Sequence, residues 1–289
     1  MGDLPRTLLT SDGAVVGYRL LRQDKPRRTI VAIHGLASNL TRWSEFAATT
    51  GLTAGWDILR PDLRGHGASL NRGRIGFDQW CTDLAAILQA EGITEVVLLG
   101  HCLGANVALW FADRQPHLVR GMVLIEPMFR SALAGEMLKA VRLRPWIAAL
   151  LPLLRGVAAL GIHRRHLDRL DLEQLDREAR TAMANAGGFP VSRYASIRED
   201  LRGVPLTAYL QDLLAVTAAL PELPGLTTPT LALLSAGTAF TDPEVTAREL
   251  AALPDCRIMR LAAQHWIPTE QPEAMRRAIE EWCDERFGR

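Results

Sequence analysis

Apolar and polar positions alternate over residues 6–10 and 15–22 on either side of Ser11-Asp12-Gly13, and this period-2 pattern around a glycine-containing turn predicts a β-hairpin. Further on the alternation gives way to short, continuously apolar runs at 29–34, 56–61, 96–99, 121–125 and 230–234, with a more polar one at 257–261. Runs of this length without a polar face suit strands buried on both sides. Helical spacing separates them. It appears in Trp43 and Phe46, in Trp80, Leu84, Ile87 and Leu88 ahead of a stop at Gly92, over 243–253, and in Met275, Ile279 and Trp282. Strands and helices in alternation predict an α/β fold with a mostly parallel central sheet flanked by helices, and chemistry at the carboxyl ends of the strands.

Between about 128 and 224 the strand pattern disappears. Leu-, Ala- and Arg-rich helical segments replace it, punctuated by Pro145, Pro152, Gly187-Gly188, Pro190 and Pro205. The expectation is a helical cap over 129–221 inserted into a core made of 1–128 and 222–289. Leu150, Leu151, Leu153, Leu154, Val157 and Leu160, with Trp146, Tyr194 and Tyr209, suggest an apolar substrate channel, although packing of cap on core accounts for most of them.

The chain is organised around one stretch. Val96-Val97-Leu98-Leu99 runs into Gly100-His101-Cys102-Leu103-Gly104 and then into a small-residue helical pattern, the order of a strand, a sharp turn and a helix. The two glycines leave room where strand and helix backbones crowd together, and the turn holds Cys102 up at the end of the sheet. A thiol at a helix N-terminus is favoured as thiolate, so Cys102 is the candidate nucleophile.

Composition narrows the rest. With 289 residues, 48% of them hydrophobic, and a formal net charge of +1, the chain can bury a large core and shows no basic excess that would suit nucleic acid. Cys81, Cys102, Cys256 and Cys283 lie far apart, without metal-ligand spacing, which fits a reducing cytoplasm. The start of the chain lacks the apolar core of a signal peptide. The most apolar stretch, 143–162, is broken by Arg144, Pro145, Pro152 and Arg155, so no membrane insertion is expected.

Together the His34-Gly35 loop, the Asp62-Leu63-Arg64-Gly65-His66-Gly67 loop, the elbow and a late histidine, in that order, resemble the α/β-hydrolase family in its lid-bearing, single-chain form. The resemblance covers both halves of the core. One departure is plain: Cys102 stands where the usual elbow serine would. Dienelactone hydrolases and polyhydroxyalkanoate synthases are similar in this respect, but little else points to either. The resemblance implies His265 as the base, since it follows the last strand. It implies the backbone N–H groups of Leu36 and Leu103 as the oxyanion hole. His34, His66 and His101 are read as holding loops or lining the pocket floor, with His34, His101 and Trp266 assigned to the pocket, and His117, His163 and His166 to the surface. Asn39 and Trp43 are read as lining the pocket or starting a helix, the second being preferred, and the 62–67 loop as a structural brace.

Two carboxylates compete for the third place. The family often has an aspartate three residues beyond a glycine after the strand ending at Ser235, but Phe240 stands there, and the nearest carboxylate is Asp242, which can equally cap a helix at Pro243. Glu126, at the end of the preceding strand, holds the position that supplies the acid in a subset of haloalkane dehalogenases. It is preferred.

The cysteine limits the reaction. An alkylated Cys102 would be a stable thioether, which disfavours dehalogenation and epoxide opening despite the similar acid position. Attack on an ester, lactone or thioester gives instead a thioester that water, an alcohol or an amine can accept. The expected activity is thus a thioesterase or esterase working on a hydrophobic acyl group. Acyl transfer or cyclisation on the same intermediate is the second reading, and a lyase, isomerase or ligand-binding relative the third. The expected partner is a small-molecule acyl substrate, a carrier-bound thioester included, with no cofactor and no metal.

Overall fold

The computed structural model describes residues 3–22, 28–186 and 189–288. Eight strands form one sheet: β1 (Leu4–Leu9), β2 (Val15–Leu21), β3 (Arg28–Ile33), β4 (Trp56–Pro61), β5 (Val96–His101), β6 (Val119–Ile125), β7 (Thr230–Ser235) and β8 (Cys256–Leu261). Their order is β1-β2-β4-β3-β5-β6-β7-β8. The hairpin β1–β2 is antiparallel and β2 joins β4 antiparallel, while every pairing among β3 to β8 is parallel. The elbow strand β5 sits between β3 and β6, its backbone paired on both sides.

Both faces of the parallel part are covered, and β5 shows why its sequence is continuously apolar. Val96 and Leu98 point into one core with Trp80, Leu84 and Phe111, whereas Val97 and Leu99 point into the opposite core with Trp43, Phe46 and Trp282. Successive side chains of a strand face opposite ways, so a doubly covered strand needs an apolar residue at every position.

The helices are α1 (Ser44–Thr49), α2 (Phe77–Ala90), α3 (Leu103–Arg114), α4 (Gly135–Ala159), α5 (Leu172–Ala186), α6 (Val191–Tyr194), α7 (Ile197–Gly203), α8 (Leu206–Val216), α9 (Pro243–Leu250), α10 (Ile267–Glu270) and α11 (Pro272–Phe287). Helices α4 to α8 all fall between β6 and β7. Two departures from the sequence pattern stand out. Pro145 and Pro152 do not interrupt the chain but lie inside the single 25-residue α4. Each proline removes one helical N–H, yet both are exposed, where water can take the carbonyls that lose a partner. Helix α9 stops at Leu250, and 251–253 turn instead. The expected break at Gly187-Gly188 lies outside the described residues.

Two buried ion pairs tie these inserted helices to the core. His66 Nε2 meets Asp212 of α8 at 2.8 Å, with both side chains fully buried. Arg42, on the 3₁₀ turn Leu40–Trp43, binds Asp176 of α5. Among the described residues no helix is long and apolar enough to cross a membrane.

Candidate active site

Cys102 occupies the sharp turn between β5 and α3 with φ 54° and ψ −118°, a left-handed conformation that non-glycine residues rarely adopt. The surroundings enforce it. The Cys102 N–H donates to the Ile125 carbonyl at 2.9 Å, continuing the β5–β6 pairing, and its carbonyl accepts from Ala105 at 3.0 Å to start α3. A Cβ on Gly100 would strike the backbone of Gly104 and Ala105, and one on Gly104 would strike the Ile33 carbonyl. Only glycine permits strand and helix to approach this closely.

Cys102 is 8% exposed, and that exposure opens on a cavity of about 680 Å³ shared with Leu36, His101, His265 and Trp266. Leu103 is the first residue of α3, so its N–H has no acceptor within the helix. The loop after β3 comes alongside: a Cβ on Gly35 would lie 3.2 Å from that of Cys102. Leu36, next to Gly35 in that loop, and Leu103, at the start of α3, therefore lie near the thiol on two different segments.

His265 lies buried on the loop between β8 and α10, its Nδ1 3.1 Å from Glu126 Oε2. Glu126 follows β6 with φ 52°, its N–H bonded to the Leu233 carbonyl at 3.1 Å and its second carboxylate oxygen accepting from the Ser235 N–H. Nδ1 being engaged, Nε2 is the ring nitrogen left for another partner, and the Cys102 side chain lies near enough to act on the ring. Burial alone would lower the His265 pKa; the Cys102 and Glu126 side chains more than reverse this and hold it up at about 10.

Two neighbours hold this arrangement in place. Asn106 donates to the Met128 carbonyl at 3.1 Å and accepts from its N–H at 2.8 Å, bracing the turn that contains Glu126. Glu270 accepts from the N–H groups of Gln264, His265 and Trp266 at 2.9–3.2 Å, gathering the histidine loop. Nothing in the sequence pattern marked Glu270. A carboxylate five residues after the histidine was the available signal.

The remaining site residues fall into two groups. His101 lines the cavity and donates Nε2–H to the His265 carbonyl at 3.2 Å. Burial, then the neighbouring His265 and Arg42 charges, push its pKa well below the ordinary value, leaving a neutral brace. Trp266 lines the cavity too, stacked on Phe189 with ring centroids 5.0 Å apart. Two residues stand elsewhere. His34 does not reach the cavity: it is fully buried, bonded through Nδ1 to the Gly35 carbonyl at 2.9 Å and through Nε2 to the Leu63 N–H at 2.9 Å. Both ring nitrogens are used by the backbone, so His34 joins two loops. Asp242 is not beside His265; its Oδ1 accepts from Glu244 at 2.9 Å and Val245 at 3.1 Å as the N-cap of α9. The Pro243 that follows Asp242 suits the first position of a helix, which explains the capping. Asn39 likewise caps the 3₁₀ turn, and Trp43 is buried in the core.

The family model described as the alpha/beta hydrolase fold matches residues 28–272. This chain belongs to the α/β-hydrolase fold family. A mouse protein named as an sn-1-specific diacylglycerol lipase is 29% identical over 111 residues, 38% of this α/β-hydrolase and 36% of the mouse protein. An uncharacterized Mycobacterium tuberculosis protein, Rv2715, is 33% identical over 113 residues, 38% and 33% of the two chains. The chain thus spans about a third of the length of these curated relatives. Among solved structures, a hydrolase from Pseudomonas aeruginosa superposes with a TM-score of 0.71 at 23% identity, covering 99% of this chain and 98% of that one. An enol-lactonase from Burkholderia xenovorans does so with a TM-score of 0.69 at 20% identity, covering 96% and 99%. These two likenesses concern the fold.

Proposed function

We propose that this α/β-hydrolase cleaves ester, lactone or thioester bonds through an acyl group held on Cys102. The observation that supports this best is the chain of contacts from Cys102 to His265 to Glu126 at the floor of one cavity, on the strained turn of the elbow. In this reading the Cys102 proton has already passed to His265 Nε2 when Sγ attacks the substrate carbonyl, and the negative charge on the carbonyl oxygen is met by the N–H groups of Leu36 and Leu103. The carbon–oxygen or carbon–sulfur bond to the leaving group then breaks, and Nε2 returns the proton to it. Water attacks the resulting thioester, again giving its proton to Nε2; the carbon–sulfur bond to Cys102 breaks, the sulfur regains a proton, and the acid departs. Glu126 keeps Nδ1–H in place and balances the imidazolium formed in each half.

Residues 129–221 act as the lid in this proposal, supplying Met137, Leu143 and Ile147 to the apolar wall of the cavity. Apolar lining suits a hydrophobic acyl group. The mouse relative named as a lipase agrees with acyl-ester chemistry.

Intact-mass measurement after incubation with 4-nitrophenyl acyl esters tests the reading. The expected result is an adduct of one acyl group on the wild-type chain and none on Cys102→Ala. Turnover without an adduct, undiminished in Cys102→Ala, would overturn it. An added amine that diverts the acyl group from water would point to transfer as the natural outcome.

A further inference from the structure

Arg42 is a charge the proposed mechanism leaves unused. It is only 8% exposed, and it lines the same cavity as Cys102 and His265. Among the described residues its bonds run through one nitrogen: Nη1 reaches both carboxylate oxygens of Asp176 and Thr269 Oγ1, the last at 2.7 Å. Asp176 is satisfied in turn, since Thr269 and the Tyr194 hydroxyl also donate to it at 3.0 and 3.1 Å. This pair accounts for one end of the guanidinium. Nε and Nη2 have no partner among the described residues, yet neither is among the sealed, unpartnered side-chain atoms, which include the Nε of Arg60 and of Arg155. Arg42 lines the cavity, so those two donors are the ones a ligand there can engage.

Nε–H and Nη2–H form the parallel two-donor edge that matches a carboxylate. An apolar chain laid over them would strip their water and return nothing, whereas a carboxylate accepts both at once. The other cations of the cavity wall differ. Lys139 and Arg202 are exposed and already paired, with Glu136 and with Asp168 and Glu199, and Arg169 is exposed, so none of the three is a buried, fixed donor. Arg42 is also close enough to the reacting end for its charge to act on His101, the neighbour of Cys102.

We infer that Arg42 is a subsite for a carboxylate carried by the substrate, making the preferred substrates acyl esters or thioesters that bear a second, ionised carboxyl group. The inference rests on the catalytic reading above for the reacting bond, though not for the binding of the carboxylate. It gives the cavity one buried cationic point that sets the direction of the bound chain. Asp176 keeps a separate task, joining α5 to the core.

The test compares matched esters. Mono-4-nitrophenyl glutarate and 4-nitrophenyl butyrate differ in a carboxylate on the acyl side; 4-carboxyphenyl butyrate and phenyl butyrate differ in one on the leaving group. At least one carboxylated ester should have the higher kcat/KM, and Arg42→Gln should lower that value by about 30-fold or more beyond its effect on the neutral partner, mainly through KM. Arg42→Lys, which keeps the charge but loses the fork, should fall between. Calorimetry of glutarate with Cys102→Ala gives a readout free of turnover and of any Arg42 substitution. Binding there is expected, with loss in the Cys102→Ala, Arg42→Gln double variant. Equal losses on charged and neutral esters, or no glutarate binding to Cys102→Ala, would overturn the subsite. Failure of the catalytic reading alone shows differently: no acyl adduct and no turnover, with glutarate still bound.

Discussion

Phe240 stands edge-on to His265, ring centroids 4.9 Å apart, at the place after β7 where the family resemblance leads one to expect an acid. The carboxylate reaches the imidazole from β6 instead, and Phe240 covers the ring from the cavity side. Glu126→Gln should therefore lower kcat by about 10³-fold or more, because an amide stabilises neither the required tautomer nor the charged ring. Asp242→Asn should leave kcat near wild type. Steady-state kinetics on one 4-nitrophenyl ester with both variants decides the assignment; a larger loss in Asp242→Asn would contradict it.

The raised pKa of His265 has a measurable pH signature. Its folded value of about 10 lies above the ordinary 6.5, so the charged ring is favoured in the folded protein. The stability it contributes is complete below about 6.5 and is lost as pH rises through about 10. Cys102→Ala removes one of the two partners that hold the value up. NMR titration of the imidazole should show a downward shift of about one unit or more in that variant, and a shallower alkaline loss of Tm. An unmoved titration would mean that Cys102 does not bond to the ring.

The pair His66–Asp212 joins the 62–67 loop to α8 with no solvent access on either side. Burial opposes charge on His66, and the Asp212 carboxylate outweighs it, leaving the pKa raised. Removing one partner leaves the other buried and uncompensated, so Asp212→Asn should destabilise the fold by about 3–5 kcal/mol. Chemical denaturation measures this. A change near zero would show that the two side chains are neutral to one another.

Gly104 offers a steric test of the elbow. Its missing Cβ is what lets α3 lie against the end of β3, where the Ile33 and His34 carbonyls crowd the site. Gly104→Ala should cost about 1–3 kcal/mol and displace the thiol, lowering acylation by 4-nitrophenyl esters more than ester binding. Intact acylation with normal stability would mean that the elbow relaxes without consequence.

Much of this protein follows from local rules. The continuous apolar runs at 29–34 and 96–99 announce strands covered on both faces, and Gly100-His101-Cys102-Leu103-Gly104 announces the elbow, because covering a strand and turning a backbone sharply each demand particular residue types at short spacing. The partners of the site do not obey such rules. Whether Glu126 or Asp242 meets His265 depends on the β6–β7 register and on the positive φ of Glu126, and the bonded pair is 139 residues apart. His34 follows its strand as a pocket histidine would, but both its ring nitrogens are taken by backbone groups. Arg42 reads as an ordinary polar residue in a helical start; only the packing of α5 over it engages one end of the guanidinium and leaves the other facing the thiol's cavity. Chain-local geometry sets what each segment can form, while long-range packing chooses which side chains meet.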